Sequence, residues 1–177
     1  MAEAEDKDSK KKTKHARRLR EYVDMCLDDE EKVEQLEQLV VALILRLKQL
    51  YFNRKTKMPK GKPLRMNEAV KKRYLIGLHE VMQRLKIGEI KMVVLATDLE
   101  KVDFERGIDE VINAVAQICR MKGVPLVFAF SRYRLGCLAK YQGQKVSCIG
   151  ICNFQGANDI FKKLEEHANE LREQFYD

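Results

Sequence analysis

The sequence predicts an α/β fold, with helices on both faces of a small, mainly parallel sheet. Two observations carry this. KMVVLA (91–96), VPLVFAF (124–130) and VSCIGIC (146–152) are short continuous apolar runs, the signature of strands buried on both faces. Stretches of helical period lie between and around them, and alternation of strand with helix places the helices on both sides of the sheet.

Taken in order, residues 1–14 are charged and nearly free of apolar groups, and read as a disordered tail. HARRLREYVDMCL follows, with Leu19, Tyr22, Val23 and Cys26 on one helical stripe and arginines opposite. Acids at Asp28 to Glu31 then open a long helix, where they complement the positive end of its dipole. In it Val33, Leu36, Val40, Leu43, Leu47 and Leu50 step by three and four, while Leu39, Ile44 and Leu45 widen the stripe. Fewer than three heptads and this breadth suit burial in a globular core better than a coiled-coil seam. Pro59, Gly61 and Pro63 forbid its continuation through NRKTKMPKGKP. A helix starting near Asn67 and the short amphipathic helix in GLHEVMQRL (77–85) precede the first apolar run. Between runs, GIDEVINAVAQICRMKG sets Ile108, Val111, Ile112, Val115 and Cys119 on one face, and RYRLGCLAK forms a second helix. The last helix spans about Gly156 to Tyr176 with Ile160, Leu164, His167 and Leu171 in register. The division is a tail over 1–14, a helical extension and basic linker over 15–64, and a domain over 65–177.

The net charge of +7 is concentrated. From Asn53 to Arg73 nine basic residues face the single acid Glu68, a density that favours a polyanionic partner over a solvated linker only when something else points the same way. The five cysteines form no CxxC pair and the three histidines lie far from them, so neither a zinc site nor a disulfide framework is expected. Packing thiols suit a reducing compartment. The charged start is no secretory leader, and the longest uncharged apolar run, Leu39 to Leu45, is far short of a membrane span. The expectation is a soluble protein of the cytoplasm, with the nucleus as a second compartment.

The chain carries no GxGxxG, Walker, GxSxG or HExxH pattern. Cys137 has no histidine placed to activate it, so a catalytic role is not expected, and no cofactor or metal either. What remains is a basic stripe leading into a glycine-started helix. A helix N-terminus presents free N–H groups to an anion, and a glycine there lets a phosphate backbone come close. Glu80, near that start, reads as a dipole-stabilising surface acid or as an acceptor for base amino groups.

GLHEVMQRL, KMVVLATD, VPLVFAFSRYRLG and VSCIGI together resemble the kink-turn-binding ribosomal-protein superfamily of the L-seven-Ae type. HARRLREY, the basic segment before Tyr74, GLHEV and IGICNFQGANDIFKKLEE most resemble the RNA-binding domain of its SECIS-binding branch, SECIS being the selenocysteine insertion sequence of selenoprotein messenger RNAs. The superfamily resemblance covers residues 65 to 176 and the narrower one begins at His15. It implies a three-layer α-β-α sandwich with a mixed four-stranded sheet, including a short strand near Tyr74 to Gly77. It also implies that the glycine-started helix reads tandem sheared G·A pairs through Gly77, His79, Glu80 and Gln83. Glu80 matches the family residue. His79 and Gln83 depart from it, Gln83 standing where a lysine is usual, with Arg84 as a substitute. The loop YQGQK would offer Tyr141 and Lys145 to an extruded nucleotide, and Arg17, Arg18, Arg20, Lys71, Lys72 and Arg73 would grip phosphates. The partners implied are SECIS RNA, the ribosome and the selenocysteine-specific elongation factor, with no membrane. Other readings from the residues are another kink-turn binder of ribosomal or small nucleolar type, and a protein–protein adaptor built on the long helix.

Overall fold

The computed structural model describes residues 21–56, 73–99, 108–139 and 144–176. The tail, the helix begun near Asn67, and Arg17, Arg18, Arg20, Lys71, Lys72 and Tyr141 lie outside the described residues. Residues 21–27 are helical and form α1. There follow α2 (Glu30–Thr56), β1 (Tyr74–Ile76), α3 (Leu78–Lys86), β2 (Met92–Leu95), α4 (Ile108–Lys122), β3 (Leu126–Phe128), α5 (Arg132–Leu138), β4 (Cys148–Ile151) and α6 (Asn158–Tyr176).

The four strands make one mixed sheet in the order β1-β4-β2-β3, sandwiched between helices. Alternation along β2 sorts the core. Met92, Val94 and Ala96 face α2, α5 and α6, packing with Leu36, Val40, Leu43, Ile44, Leu47, Leu135, Phe161 and Leu164. Val93 and Leu95 face α3 and α4, where Val81, Leu85, Ile112, Val115 and Cys119 are buried. All four residues of β2 and of β4 are buried, as the continuous apolar runs require.

The expectation of a mainly parallel sheet is corrected here. Among the described residues only β2 and β3 run parallel; β4 is antiparallel to both β1 and β2. The reason lies in the connection after β3. The N–H of Val146 donates to the carbonyl of Arg132 at 3.0 Å, which returns the chain to the start of α5. Strand β4 therefore enters at the end of the sheet where β3 leaves, and runs back.

Helix α2 starts where its acids predict. Asp29 accepts the N–H of Lys32 at 3.2 Å, and that backbone hydrogen bond is the main reason its carboxyl sits below the usual carboxylate range. Its buried stripe is narrower than expected: Leu36, Val40, Leu43, Ile44 and Leu47 are buried, but Leu45 is 52% exposed. On α6 the buried face is Phe161, Leu164 and Ala168, so Ile160, His167 and Leu171 flank it rather than centre it. Helix α1 lies beside the β3 edge, with Tyr22 meeting Phe128 edge-to-face at 5.9 Å and Cys26 buried. Covering a sheet edge in this way removes a site of unwanted strand pairing.

All five cysteines are free, and only Cys137 is exposed. Burial pushes the thiols of Cys26 and Cys152 up from 9.0 to about 11 and that of Cys119 to about 12, and raises Cys148 as well. Since the thiolate is the nucleophile, a water-soluble maleimide at neutral pH is expected to label one thiol quickly and the other four only on unfolding. Two fast equivalents would contradict the packing described. Because the folded thiols hold their protons more tightly than unfolded ones, the stability they contribute is complete below pH 9 and is lost as pH rises toward 11 to 12.

Candidate nucleic-acid interface

Helix α3 begins at Gly77, whose φ of 106° and ψ of 134° lie in a region that side chains rarely adopt. A Cβ built there meets nothing within 4 Å, so the glycine is required by its backbone angles rather than by crowding from within the protein. The Gly77 N–H donates to the Cys148 carbonyl at 3.0 Å, and its own carbonyl accepts from Val81 at 3.0 Å. These bonds tie the helix start to the first residue of β4. Among the described residues no side chain caps α3, which leaves its leading N–H groups facing an outside acceptor.

The inner face of α3 is anchored by Val81 and Leu85, both fully buried. Its seat is close because β4 carries Gly150 beneath it: a Cβ there would stand 3.0 Å and 3.1 Å from the two methyls of Val81. With that face fixed, His79, Glu80 and Gln83 share the exposed one.

Arg84 bridges two carboxylates on this face. Its Nε donates to Glu80 at 3.2 Å and its Nη1 to Glu89 at 2.8 Å. The hydrogen bond it donates to Glu89, and then the one it donates to Glu80, raise its pKa further. Arg84 is therefore engaged by acids rather than standing free for a phosphate, and its effect is to fix the Glu80 carboxylate. A carboxylate has several acceptor positions, so Glu80 can hold Arg84 and still accept from a second donor.

Arg73 departs from the expected phosphate grip. It is 5% exposed and its Nη1 donates to the Gln155 carbonyl at 2.7 Å. Pairing of Tyr74 with Ile151 brings the residue before β1 beside the residues after β4, and the Arg73 carbonyl there accepts from Cys152 and Asn153 at 2.8 Å and 3.1 Å. Arg73 serves the fold.

Residues 61–161, more than half of the chain, match the Ribosomal protein L7Ae/L30e/S12e/Gadd45 family. The chain belongs to this family. It is also similar to the human protein "Selenocysteine insertion sequence-binding protein 2-like", 32% identical over 92% of this chain and 14% of that one. To the rat "Selenocysteine insertion sequence-binding protein 2" it is 27% identical over 91% of this chain and 18% of that one. The chain thus spans less than a fifth of the length of these relatives. Among solved structures, the Giardia lamblia 15.5kD RNA binding protein superposes with a TM-score of 0.50 at 17% identity, over 74% of this chain and 89% of that one, a likeness of fold.

In this L7Ae-family chain the strand directions bring further residues to the end of the sheet where α3 starts. The last residues of β1, β2 and β3 and the first of β4 all lie there. Lys145, three residues before β4, is exposed at this end. Between β3 and α5 sits Phe130, buried and at a φ of 66°, a left-handed conformation uncommon for a bulky side chain. Its N–H donates to Glu37 of α2 at 3.1 Å, and its carbonyl accepts from the Thr97 N–H at 2.8 Å and hydroxyl at 3.1 Å. Arg134 lies over its ring at 5.2 Å. Sequence reasoning missed this turn and its Glu37 clasp, because residues 93 apart carry no local signal. Glu89 was missed too, although its spacing of five from Arg84 across a turn is readable once α3 is known to end at Lys86.

Gly77→Ala is expected to cost roughly 1 to 3 kcal/mol of stability for the enforced left-sided φ. That would appear as a melting temperature lower by about 2 to 4 °C per kcal/mol. An unshifted melting curve would show that the helix start tolerates a side chain.

Proposed function

We propose that this domain binds RNA, and that its target is the kink-turn-like core of tandem G·A pairs in SECIS elements, in support of selenocysteine incorporation at UGA codons. The observation that carries the reading is the outer face of α3. An uncapped helix start at Gly77 presents N–H groups to a phosphate, and His79, Glu80 and Gln83 stand beside it with the carboxylate of Glu80 held by Arg84. Glu80 accepts hydrogen bonds from guanine imino and amino groups that pairing in sheared G·A steps leaves unused. His79 and Gln83 hydrogen-bond alongside it, and Tyr141 and Lys145 meet an extruded nucleotide. Arg17, Arg18, Arg20, Lys71 and Lys72 add affinity that does not depend on sequence. Family membership and the names of the relatives support the reading. The role we propose is binding rather than catalysis, in keeping with the names of the relatives. The ribosome and the selenocysteine-specific elongation factor are the partners we propose for the bound complex.

A competition gel shift tests this. A SECIS hairpin should compete well above its G·A-mutated form, and above a simple box C/D kink-turn. Equal competition by the mutated hairpin would overturn the reading, and equal competition by the box C/D RNA would reduce it to general kink-turn binding. Affinity should also fall steeply between about 50 and 200 mM salt, by roughly 1,000-fold or more if six or more phosphates are contacted. A flat response would favour an adaptor that meets proteins through α2.

A further inference from the structure

At the end of the sheet where α3 starts, the turn between β3 and α5 is bonded to the connections that follow β2 and precede β4. Thr97 gives its N–H and its hydroxyl to the Phe130 carbonyl, and Asp98 accepts the Arg132 N–H at 2.6 Å. On the other side the Arg132 carbonyl accepts the Val146 N–H at 3.0 Å, and two residues further on the Cys148 carbonyl accepts the Gly77 N–H at 3.0 Å. A short path of backbone hydrogen bonds thus runs from this turn, past Lys145, to the start of α3.

Phe130 makes the turn costly. A glycine would take its φ of 66° without strain, whereas a bulky residue keeps it only where the surroundings hold it there. Part of that hold comes from α2. Glu37 Oε1 accepts the Phe130 N–H at 3.1 Å, and Oε2 lies 3.5 Å from Nη1 of Arg134, whose guanidinium sits 5.2 Å from the centre of the Phe130 ring. Without that carboxylate the N–H of a buried residue loses its acceptor. An acid at this end is otherwise a disadvantage to a protein that binds a polyanion, because it repels phosphates.

Resting on the RNA-binding role proposed above, we infer that Glu37 is a positioning residue for that binding: by holding Phe130 in its left-handed turn it sets, through the Arg132–Val146 bond, where Lys145 stands relative to the start of α3. Glu37 acts in this way without touching the RNA. The role requires reach and an acceptor rather than charge. Glutamine keeps the Oε1 acceptor, aspartate keeps the charge on a shorter arm, and alanine keeps neither. Loss of charge alone would tighten every RNA alike, so weakening in the alanine variant has the opposite sign to the electrostatic effect.

The test is a titration of the SECIS hairpin with the full 177-residue chain and with Glu37→Gln, Glu37→Asp, Glu37→Ala, Lys145→Ala and Glu37→Ala/Lys145→Ala, each below its own melting temperature. Glu37→Ala and Glu37→Asp should weaken binding by about fivefold or more, the size of one lost hydrogen bond. Glu37→Gln should stay within about twofold of the parent, and the double variant within about twofold of the weaker single one, since residues acting as one unit are not additive. If the alanine chain does not fold, Glu37→Asp takes its place in both comparisons. Unchanged binding by Glu37→Ala and Glu37→Asp, a loss in Glu37→Gln as large as in Glu37→Ala, or losses that multiply with Lys145→Ala would each overturn the inference. So would an inert Lys145→Ala, because nothing would then be positioned. The parent's preference for the matched hairpin over the G·A-mutated one is read in the same titrations. Its absence sinks the proposed function and this inference together, whereas an intact preference with any contrary pattern sinks this inference alone.

Discussion

Replacing Leu43 with alanine is expected to destabilise the protein by about 2 to 5 kcal/mol, the range for removing a buried leucine side chain and leaving a cavity. Leu43 is fully buried on α2 and belongs to the cluster formed with Met92, Val94, Ile149 and Ile151 of the sheet. Close packing leaves little freedom for neighbours to fill the gap. The prediction concerns what the N-terminal helix is for. Were α2 an appendage on a self-sufficient domain, a substitution within it would behave like a surface change and shift stability by less than about 0.5 kcal/mol. Urea unfolding followed by circular dichroism distinguishes the two. An unchanged slope with a lower midpoint would place the whole loss in stability.

Glu80→Ala is expected to weaken SECIS binding by roughly 1 to 3 kcal/mol, the range for a good base contact. The melting temperature should hardly move, because the side chain is exposed and its ion pair with Arg84 lies on the surface. Arg84→Ala supplies the companion measurement. If Arg84 steadies Glu80, its loss should weaken the matched hairpin and leave binding to the G·A-mutated one nearly unchanged. A loss equal for both RNAs would instead make Arg84 a phosphate contact. Should Glu80→Ala bind as the parent does, the role given to Glu80 is wrong, whatever the rest of α3 does.

The sandwich was legible in the sequence wherever burial imposes a period. Val40, Leu43 and Leu47 announce the inner face of α2, and MVVL and CIGI announce strands covered on both sides. Where two arrangements satisfy the same burial, the pattern is silent. Strand β4 is buried whichever way it runs, so its antiparallel direction goes with the return of the chain beside the start of α5, where Val146 bonds Arg132, and cannot be read from its own residues. Strand β1 is three partly buried residues, too short for any period to show. At the site, Glu80 and Gly77 could be picked out from spacing and resemblance. Arg73 could not, since a run of basic residues looks alike whether its last member turns outward or lies beneath the Gln155 carbonyl. Long-range pairings such as Glu37 with Phe130 leave no trace in a window of neighbours.

That pairing also sets a timetable. Phe130 lies 93 residues after Glu37, and chains emerge during synthesis at about 5 to 20 residues per second. Glu37 of α2 is therefore made roughly 5 to 20 seconds before the left-handed turn that it holds. During that interval the buried face of α2 waits for the later part of its core, Phe130 and Leu135 included. The Glu37 carboxylate then becomes a late latch: the hydrogen bond that holds the β3–α5 turn forms only once α2 has been drawn onto the sheet.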